Sequence, residues 1–511
     1  MQGGIKILTI IKSITLIGLN GYKVDVQVDV SNNMPKWEII GLPDNSIRES
    51  KERVKAAIKN SGYELRSKKI LVNLAPAEIK KEGSAFDLAI AIGILNNIGY
   101  IQNDQIDEYA ILGELSLNGK VNEISGILPM CIELKRLGIN KVILPKGNIK
   151  EATILKELQT YGVENLKEAV EFLNGQIKIE NNIEIEKQKK EISQIDFSEV
   201  KGQENVKRAL EIAAAGGHNC LMIGSPGSGK TMLAQRISSI LPDMNFEESL
   251  EVTKIHSIAG MTKNSQIITK RPFRSPHHTA SKVALVGGGK EAKPGEISLA
   301  HRGILFLDEL PEFNKNTLEV LRVPLEDRKV LISRANKNYE YPANFMLIAS
   351  MNPCPCGYYG SSEKECTCSS NEINKYLRKI SGPLLDRIDI QVEVSSIDYN
   401  KITNTSKEET SEEIKLRVDK ARKVQEERYK KYNIYSNSEL TPSLIEKYCY
   451  LDEKSKDMLE KAFEKLHLSS RAYSRILKVA RTISDLNGNE NITINEIAEA
   501  IQYRSLDKKY F

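Results

Sequence analysis

A glycine-rich stretch near the middle of the chain has the residues that bind nucleotide phosphates in many ATPases. It follows a short apolar run, Cys220–Ile223, and it precedes a segment with helical spacing. Backbone N–H groups in such a loop point at phosphate oxygens, and the positive end of the next helix adds to the attraction. The stretch therefore predicts a P-loop for ATP, in which Lys230 contacts the β- and γ-phosphates and Thr231 holds Mg²⁺. The predicted nucleotide-binding residues of the loop are Gly224, Ser225, Pro226, Gly227, Ser228, Gly229, Lys230 and Thr231.

Two later apolar runs end in polar residues that suit a site for Mg²⁺ and an attacking water. Asp308 and Glu309 follow the first run, Ile304–Leu307, and Asn352 ends the second. Asp308 suits a Mg²⁺ contact, Glu309 suits a general base, and Asn352 could position the water. We therefore expect these three side chains to lie beside the phosphates.

Two arginines follow these motifs and could donate to the γ-phosphate. Arg387 lies at a helix-to-strand turn in SGPLLDRIDI, and Arg471 lies at a predicted helix start in SSRAYSRILKVAR. The planar guanidinium group suits phosphate oxygens, although a single arginine is more often a surface residue. The order of the motifs along the chain favours the catalytic interpretation for both arginines.

Four of the seven cysteines lie within fifteen residues, in the stretch CPCGYYGSSEKECTC. Four thiolates suit a tetrahedral Zn²⁺ ion. The usual spacing at such sites is C-x₂-C, whereas this stretch has two C-x-C pairs, so free thiols and disulfides are alternatives. The candidate ligands are Cys354, Cys356, Cys366 and Cys368.

The composition excludes several classes of protein. With 511 residues, the chain has room for roughly three domains. It is 40% hydrophobic and 28% charged, with a net charge of +5, and it has no run of about 18 apolar residues that would predict a transmembrane helix. Its N-terminus lacks the charged region and cleavage site of a signal peptide. These features predict a cytoplasmic protein with reduced cysteines and no membrane partner.

Positive charge is concentrated just before the strand that ends in Asp308 and Glu309. The segment Lys254–Arg302 has nine basic and two acidic residues, which makes it a candidate polyanion contact. A solvated loop is the alternative. The adjacent His277 and His278 would point different ways on a strand, so packing or DNA contact is favoured over metal binding for them.

The pattern of strands and helices predicts an α/β multidomain fold. Residues 1–178 and 195–394 each alternate strand-like and helix-like patterns, and 395–511 are predicted to be helical. Residues 179–194 are charged and lack aromatic residues, which is typical of a linker.

Several long motifs resemble the magnesium-chelatase-like AAA+ ATPases. They are FRSPHHTASKVALVGGG, KPGEISLAHRGILFLDELPEF and SGPLLDRIDI. The stretch VNLAPAEIKKEGSAFDLAIAIGIL is similar to the bacterial ComM/YifB competence-protein branch of that family. The resemblance covers nearly the whole chain, and it implies an AAA+ ATPase core, a helical lid domain and a hexameric ring with ATP bound between subunits.

The same resemblance implies a role for each candidate residue of the ATP site. The implied roles are Walker A for Lys230 and Thr231, Walker B for Asp308 and Glu309, sensor 1 for Asn352, an arginine finger supplied to a neighbouring subunit for Arg387, and sensor 2 for Arg471.

The resemblance also implies two insertions that would contact DNA. One is the basic segment, which contains Lys290, and the other is a hairpin before Asn352. The strand-like runs KVLISR and YEYPANF, on either side of the polar turn ANKN, predict the hairpin independently. Arg334 and Lys337 lie near its tip, where they could contact phosphates.

The N-terminal domain resembles the Lon-protease fold but lacks its catalytic pair. KKEGSAFDL carries Ser84, whereas Leu128 and Pro129 stand where the protease has its lysine. Without that lysine Ser84 has no base, so we expect a proteolytically inactive domain that serves in assembly or DNA contact. A helix cap is the expected role of Ser84.

The combined motifs and the resemblance imply an ATP-driven DNA motor. Its expected form is a hexameric helicase that promotes branch migration of recombination intermediates during natural transformation. The alternatives are a chelatase motor subunit that drives Mg²⁺ into a porphyrin, a Lon-like peptidase, and a regulator that only binds nucleotide.

Overall fold

The structure, a computed structural model, divides into two compact units, each made of several stretches of chain. The residues that it describes are 8–32, 34–65, 68–179, 195–262, 267–289, 292–334, 337–361, 364–396, 408–432, 434–466, 468–506 and 510. The first unit comprises Met1–Gln188, Phe246–Ile268 and Ser333–Tyr341. The second unit comprises Lys189–Asn245, Thr269–Ile332 and Pro342–Phe511.

Strands and helices alternate over most of the chain, and its C-terminal part is helical. The strands are β1 (Thr9–Ile17), β2 (Asn20–Ser31), β3 (Lys36–Ile40), β4 (Lys69–Ala75), β5 (Tyr109–Ile111), β6 (Glu114–Leu115), β7 (Val121–Asn122), β8 (Lys141–Pro145), β9 (Gln159–Val163), β10 (Cys220–Gly224), β11 (Phe273–Arg274), β12 (Gly287–Gly288), β13 (Lys293–Pro294), β14 (Ile304–Leu307), β15 (Lys329–Arg334), β16 (Lys337–Pro342), β17 (Met346–Met351) and β18 (Ile390–Val394). The α-helices are α1 (Asn45–Asn60), α2 (Asp87–Ile98), α3 (Ile127–Arg136), α4 (Ile149–Ala152), α5 (Leu166–Leu173), α6 (Glu204–Gly216), α7 (Lys230–Ile240), α8 (Phe246–Ile258), α9 (Lys282–Val286), α10 (Glu296–Leu299), α11 (Lys315–Glu319), α12 (Pro324–Asp327), α13 (Ser370–Leu377), α14 (Gly382–Leu385), α15 (Ser411–Tyr429), α16 (Pro442–Tyr448), α17 (Glu453–Leu466), α18 (Ser470–Asn487) and α19 (Ile494–Gln502).

The first unit is built on a mixed sheet with the strand order β3-β4-β2-β1-β5-β8-β9. Strand β2 pairs antiparallel with β1 and β4, and the remaining neighbours are parallel. Alternate residues of β2 are buried because successive side chains of a strand point to opposite faces. Helix α2 packs on β1 and β2, and its residues Asp87–Asn97 are all buried. The buried valines of β2 are Val24, Val26, Val28 and Val30.

Two later stretches of chain return to the first unit. Helix α8 lies against α3, where the N–H of Gly126 donates to the carbonyl of Ser257 at 3.1 Å. The Thr262 hydroxyl donates to the buried carboxylate of Glu151 at 3.1 Å. Residues 246–268 and 333–341 therefore belong structurally to this unit, although both lie between strands of the second unit in sequence.

The second unit contains a parallel five-stranded sheet with the order β11-β14-β17-β10-β18. Its central strands are buried along their whole length, as expected for a parallel sheet covered on both faces. The strands β10, β14 and β17 run in one direction, so their carboxyl ends lie at the same edge. This edge is where the P-loop and the two polar strand ends meet.

The helices α15 to α19 complete the second unit. Helices α15 and α18 pack against α6, and one hydrophobic core extends from the sheet into these helices. Thr410 and Glu413 cap α15 reciprocally, and the Ser469 hydroxyl caps α18 by accepting from the N–H of Ala472. The predicted α/β class, with a helical C-terminal region, is confirmed. Within the described ranges, no helix has the combined length and hydropathy needed to cross a membrane.

Candidate active site

The P-loop joins β10 to α7 and holds its lysine in place. Gly227 and Gly229 have φ values of 79° and 88°, a left-handed conformation that glycine adopts readily. The Nζ of Lys230 donates to the carbonyls of Gly224 and Ser225, each at 2.8 Å. Burial lowers the pKa of Lys230, and the carboxylates of Asp308 and Glu309 oppose that shift. The lysine is therefore fixed over the loop, at the edge where phosphates would bind.

Thr231 and Asp308 form an oxygen pair beside the loop. The Thr231 hydroxyl donates to Asp308 Oδ2 at 2.7 Å. The other carboxylate oxygen accepts from the Ser350 hydroxyl and, at 3.1 Å, from the N–H of Glu309. Hydroxyl and carboxylate oxygens are the ligands that Mg²⁺ prefers. The residues fit a Mg²⁺–nucleotide complex.

Asn352 follows the end of β17 and contacts the P-loop lysine. Its side-chain oxygen accepts from Lys230 Nζ at 3.2 Å. Strand β17, which leads to Asn352, lies between β10 and β14, so the amide is placed between the other two motifs. The structure thus brings Lys230, Thr231, Asp308 and Asn352 together.

Glu309 adopts an unusual backbone conformation at the end of β14. Its φ is 54°, a left-handed value that costs a non-glycine residue about 1–2 kcal/mol. Its N–H donates to Asp308 and, at 3.3 Å, to the Ser350 hydroxyl. The Glu309 side chain is 56% exposed, so its carboxylate is open to water at the mouth of the site.

His278 is a residue of this site that the sequence analysis did not place there. Its Nδ1 lies 3.6 Å from Glu309 Oε2, and its ring stacks on His277 with 4.1 Å between the ring centroids. The segment before His278 includes β11, which pairs with β14, so His278 also follows a strand end at the site edge. Strand β11 is only two residues long, which is too short to give a periodic pattern.

The two candidate arginines lie outside this cluster. Arg387 is buried, donates to the carbonyl of Pro383 at 2.7 Å and forms an ion pair with Glu326. Arg471 is exposed in the first turn of α18. Among the described residues, no hydrogen bond joins either arginine to the P-loop or to Asp308. Their predicted roles remain predictions.

A buried ion-pair network fixes the start of β18 to α18. Asp389 is 3% exposed, accepts from the N–H of Asn219 at 2.9 Å and pairs with Arg475. His218 Nδ1 lies 3.6 Å from the same carboxylate. Burial lowers the pKa of Lys478 to about 8. The helix that carries Arg471 is therefore attached to the strand that follows Arg387.

The sulfur atoms of the four clustered cysteines lie close together. The Cys354 sulfur lies 3.3 Å from that of Cys356 and 3.7 Å from that of Cys366, and 3.6 Å separates the last two. All four sulfurs lie within 4.8 Å of one another. Zn–S bonds of about 2.3 Å in a tetrahedron place the sulfurs roughly 3.8 Å apart, so the spacing suits zinc. A disulfide needs about 2.05 Å, and all seven cysteines are free.

Backbone N–H groups surround these sulfurs. The N–H of Tyr359 donates to Cys354 at 3.3 Å, and that of Cys356 donates to Cys368 at 3.4 Å. Burial raises the pKa of Cys356, but N–H groups and neighbouring thiols outweigh it and lower this pKa to about 5. The loop therefore stabilises the thiolate of Cys356, the form that binds metal. At Cys366 and Cys368 backbone N–H groups act in the same direction, but burial and the neighbouring thiols outweigh them and raise the pKa of both.

The candidate DNA contacts are only partly described. Arg334 ends β15 and Lys337 begins β16, and these strands pair as a two-stranded sheet. Both residues lie beside the hairpin tip, where 335–336 are outside the described residues. Lys290 also lies outside the described residues.

Ser84 does not cap a helix, so that prediction is wrong. Helix α2 begins at Asp87, its N-cap is Phe86, and no side chain caps it. The Ser84 hydroxyl instead donates to the Glu114 carboxylate. Leu128 is buried in α3 with Pro129 beside it. The physical reason is that the helix starts three residues after Ser84, with Phe86 at the N-cap position, so the Ser84 oxygen is not placed to accept from the free N–H groups of the first turn.

Comparison with known sequences identifies the family. The profile described as "Magnesium chelatase, subunit ChlI" matches residues 196–402, the "Subunit ChlI of Mg-chelatase" profile matches 26–148, and the "Magnesium chelatase, subunit ChlI C-terminal" profile matches 408–504. The "Competence protein ComM" of Haemophilus influenzae is 42% identical over 504 residues, which cover 98% of each chain. This chain belongs to the magnesium-chelatase-like ComM/YifB family. The family predicted from the sequence motifs is thereby confirmed.

Other members of the family differ in how much of the chain they share. The "Uncharacterized protein YifB" of Escherichia coli K12 is 41% identical over 502 residues, 98% of each chain. The "Magnesium-chelatase subunit ChlI homolog" of Methanocaldococcus jannaschii is 24% identical over 335 residues, 60% of this chain and 83% of its own. These ComM and YifB proteins thus match this chain over nearly their whole length, whereas the ChlI homolog matches part of it.

Proposed function

We propose that this chain is an ATP-driven DNA motor, a hexameric helicase that promotes branch migration of recombination intermediates during natural transformation. The observation that carries ATP hydrolysis is the cluster of Lys230, Thr231, Asp308, Glu309 and Asn352 at one edge of the parallel sheet. The DNA half of the proposal is supported by the relative named "Competence protein ComM". The cytoplasm is the proposed compartment, because it keeps the clustered thiols reduced.

Each residue of the cluster would have its own role in ATP hydrolysis. Lys230 would bind the β- and γ-phosphate oxygens in place of its present carbonyl partners. Thr231 and Asp308 would hold Mg²⁺, which when bound neutralises charge on the phosphate oxygens. Glu309 would accept the proton of the attacking water, and Asn352 would orient that water. The general base is exposed and the metal ligands are fixed, which suits a site that admits a new water in every turnover.

The arginines would complete the site from two directions. Arg387 of one subunit would stabilise the γ-phosphate charge in a neighbouring site of the ring. It would have to exchange its ion pair with Glu326 for the phosphate, which links nucleotide binding to a local rearrangement. Arg471 would reach the nucleotide from the first turn of α18 in its own subunit.

The DNA contacts would come from the basic segment and from the β15–β16 hairpin. Nine basic residues and two acidic ones in Lys254–Arg302 give the segment a strong positive balance. Arg334 and Lys337 flank the hairpin tip, and Lys290 is the third candidate contact. Contacts of this kind go to phosphates, so they would support movement along DNA of any sequence.

The motor is tested by measuring ATP hydrolysis with and without single-stranded and forked DNA, beside branch migration of a synthetic four-way junction. We expect DNA to stimulate ATP hydrolysis. We also expect branch migration to convert the junction into two duplexes only when ATP is hydrolysed. Lys337→Ala is expected to weaken DNA binding and to reduce its salt slope by about 1, whereas Lys461→Ala, at an exposed position of α17, is the matched control. No stimulation and no branch migration would reject the motor.

A chelatase motor subunit is the second candidate, because the matching profiles describe magnesium chelatase. Stimulation of the ATPase by a porphyrin and not by DNA would favour it. A nucleotide-binding regulator would show binding without turnover in every condition.

We also propose that the first unit is a Lon-protease-like domain without proteolytic activity, used for assembly or DNA contact. One observation supports inactivity. The residues at the expected lysine position are Leu128 and Pro129 in α3. A Lon-like peptidase would instead need a base that takes the serine proton.

The final part of the proposal is a structural zinc ion held by Cys354, Cys356, Cys366 and Cys368. Protein purified without chelator is expected to contain about one zinc ion per chain, as four thiolates hold. Cys366→Ser is expected to lose it. Cys449→Ser is the control, because Cys449 is buried elsewhere in the second unit. Metal analysis decides, and wild-type protein without zinc would favour free thiols.

A further inference from the structure

The cysteine cluster and the nucleotide site are adjacent along the chain. Cys354 is completely buried and comes two residues after Asn352. The side chain of Asn352 accepts from Lys230 at 3.2 Å, so the strand end that orients the lysine leads directly into the cluster. Any movement of Cys354 would therefore be passed to Asn352 over one intervening residue.

The turn that carries the first two cysteines also touches the P-loop. The N–H of Gly357 donates to the carbonyl of Cys354 at 3.0 Å, which closes the turn around Cys356. A Cβ built on Gly357 would lie 2.4 Å from Cδ and 2.6 Å from Cγ of Pro226. Side-chain carbons essentially never approach this closely, so only glycine allows the turn to lie against the P-loop proline.

The last two cysteines lead into helix α13, which lies near Asn352. Cys368 is followed by Ser369, which caps α13 reciprocally with Glu372. Tyr376 of that helix is buried. Burial and Glu312 raise the pKa of its hydroxyl, and the nearby backbone of Asn352 acts in the opposite direction, so α13 approaches Asn352. Both cysteine pairs are therefore followed or preceded by residues near Asn352: Cys354 comes two residues after it, and α13, which follows Cys368, approaches it.

We infer that the metal-loaded cysteine cluster braces the P-loop, so that occupancy of the cluster by zinc sets the affinity of the site for ATP. This inference rests on the proposed zinc ion and the proposed ATP site. Metal bonds from both C-x-C pairs fix the turn at Gly357, and the turn supports Pro226. When the metal is removed, the turn moves and the P-loop loses its support on that side. The brace is distinct from hydrolysis, because it acts on the loop that binds phosphate and not on the general base Glu309.

The first test compares nucleotide binding by one protein in three metal states. A fluorescent ATP analogue is titrated into wild-type protein as purified, after zinc removal with a chelator and dialysis, and after zinc is restored. Nucleotide affinity is expected to fall about tenfold on removal and to recover when zinc returns. Unchanged affinity after verified zinc removal would overturn the brace and leave the zinc site standing.

The second test changes the contact and keeps the metal ligands. Gly357→Ala is expected to keep its zinc and to bind nucleotide about tenfold more weakly, because the new Cβ displaces Pro226. Gly360→Ala is the matched control for backbone strain, since Gly360 has a φ of 77° in the same loop. The double variant Pro226→Ala/Gly357→Ala removes the Cγ and Cδ that the new Cβ would meet. Its affinity is expected to recover towards that of Pro226→Ala alone, short of it only by the effect that Gly360→Ala shows, because alanine at residue 357 keeps a left-handed φ of 86°.

The outcomes distinguish a failure of the brace from a failure of the zinc site or of the proposed ATP site. Full affinity in zinc-loaded Gly357→Ala, or no recovery in the double variant, would overturn the brace. Wild-type protein that binds nucleotide but holds no metal would overturn the zinc site and the brace together. Wild-type protein that binds zinc but no nucleotide would instead overturn the proposed function.

Discussion

Glu309→Gln is expected to lower the rate of ATP hydrolysis by about 10²- to 10⁴-fold, the usual contribution of a general base. Nucleotide affinity is expected to stay within about twofold of wild type, since the residues that would bind phosphate and Mg²⁺ are unchanged. The amide keeps the shape of the carboxylate but cannot accept the proton of water. The backbone N–H of residue 309 would still donate to Asp308, so the Mg²⁺ ligand keeps its position.

The measurement is steady-state ATPase activity beside nucleotide titration. Glu312→Gln is the matched control: it lies three residues further on, is partly exposed and pairs with Lys379 at 3.3 Å. This variant is expected to hydrolyse ATP at the wild-type rate. A Glu309→Gln variant with wild-type turnover would mean that another group takes the proton.

Asp389→Asn is expected to destabilise the second unit by about 3 kcal/mol, as when one partner of a buried ion pair is removed. The substitution leaves the guanidinium of Arg475, whose side chain is 21% exposed, beside a neutral amide. It therefore loosens the attachment of α18 to β18. Asp243→Asn is the control, because Asp243 is 82% exposed and its pair with Lys415 is worth under about 1 kcal/mol.

The same aspartate predicts a dependence on pH. Burial raises the pKa of Asp389, but Arg475 and His218 outweigh burial and hold it well below its usual range. A carboxylate with a depressed pKa contributes stability above its unfolded pKa of about 3.9, and this is lost as pH falls through the folded value. The difference between wild type and Asp389→Asn should therefore shrink as pH falls below about 4.

Hydrogen exchange of the α18 amides, measured beside the thermal midpoint, tests both statements. Exchange in α18 is expected to accelerate in Asp389→Asn at pH 7 and to stay unchanged in Asp243→Asn. Equal protection of α18 in the variant and in wild type would show that hydrophobic packing, and not the ion pair, holds the helix.

The elements of the ATP site could be predicted because each carries a local pattern. An apolar run before a glycine-rich loop, or before two carboxylates, identifies a strand and the functional residues at its end. Parallel strands place their ends at one edge, so the contacts of Lys230 with Asn352 and of Thr231 with Asp308 agree with the expectation. The family could be predicted for the same reason, since its motifs are long and continuous.

Features that depend on distant contacts could not be predicted. Strand β11 has only two residues, which is too short for a periodic hydrophobic pattern. The sequence therefore did not predict that His278 lies close to Glu309. The apolar residues of α8 do not form one stripe, so nothing indicated which surface the helix covers. The Ser84 cap prediction failed because α2 starts three residues after Ser84, and the Ser84 hydroxyl donates instead to Glu114, thirty residues away.

The return of α8 to the first unit has a consequence for the order in which the protein folds during synthesis. The sheet and the helices α1 to α5 emerge from the ribosome first, and α8 is finished only about 85 residues after the end of α5. Because synthesis proceeds at about 5–20 residues per second, the surface of α3 stays uncovered by α8 for a time on the order of ten seconds. During that interval Glu151 lacks its donor Thr262, and Gly126 lacks the carbonyl of Ser257. A nascent chain therefore presents an incomplete first unit while its P-loop is still being made, and a fragment cut after residue 178 would keep that unfinished surface permanently.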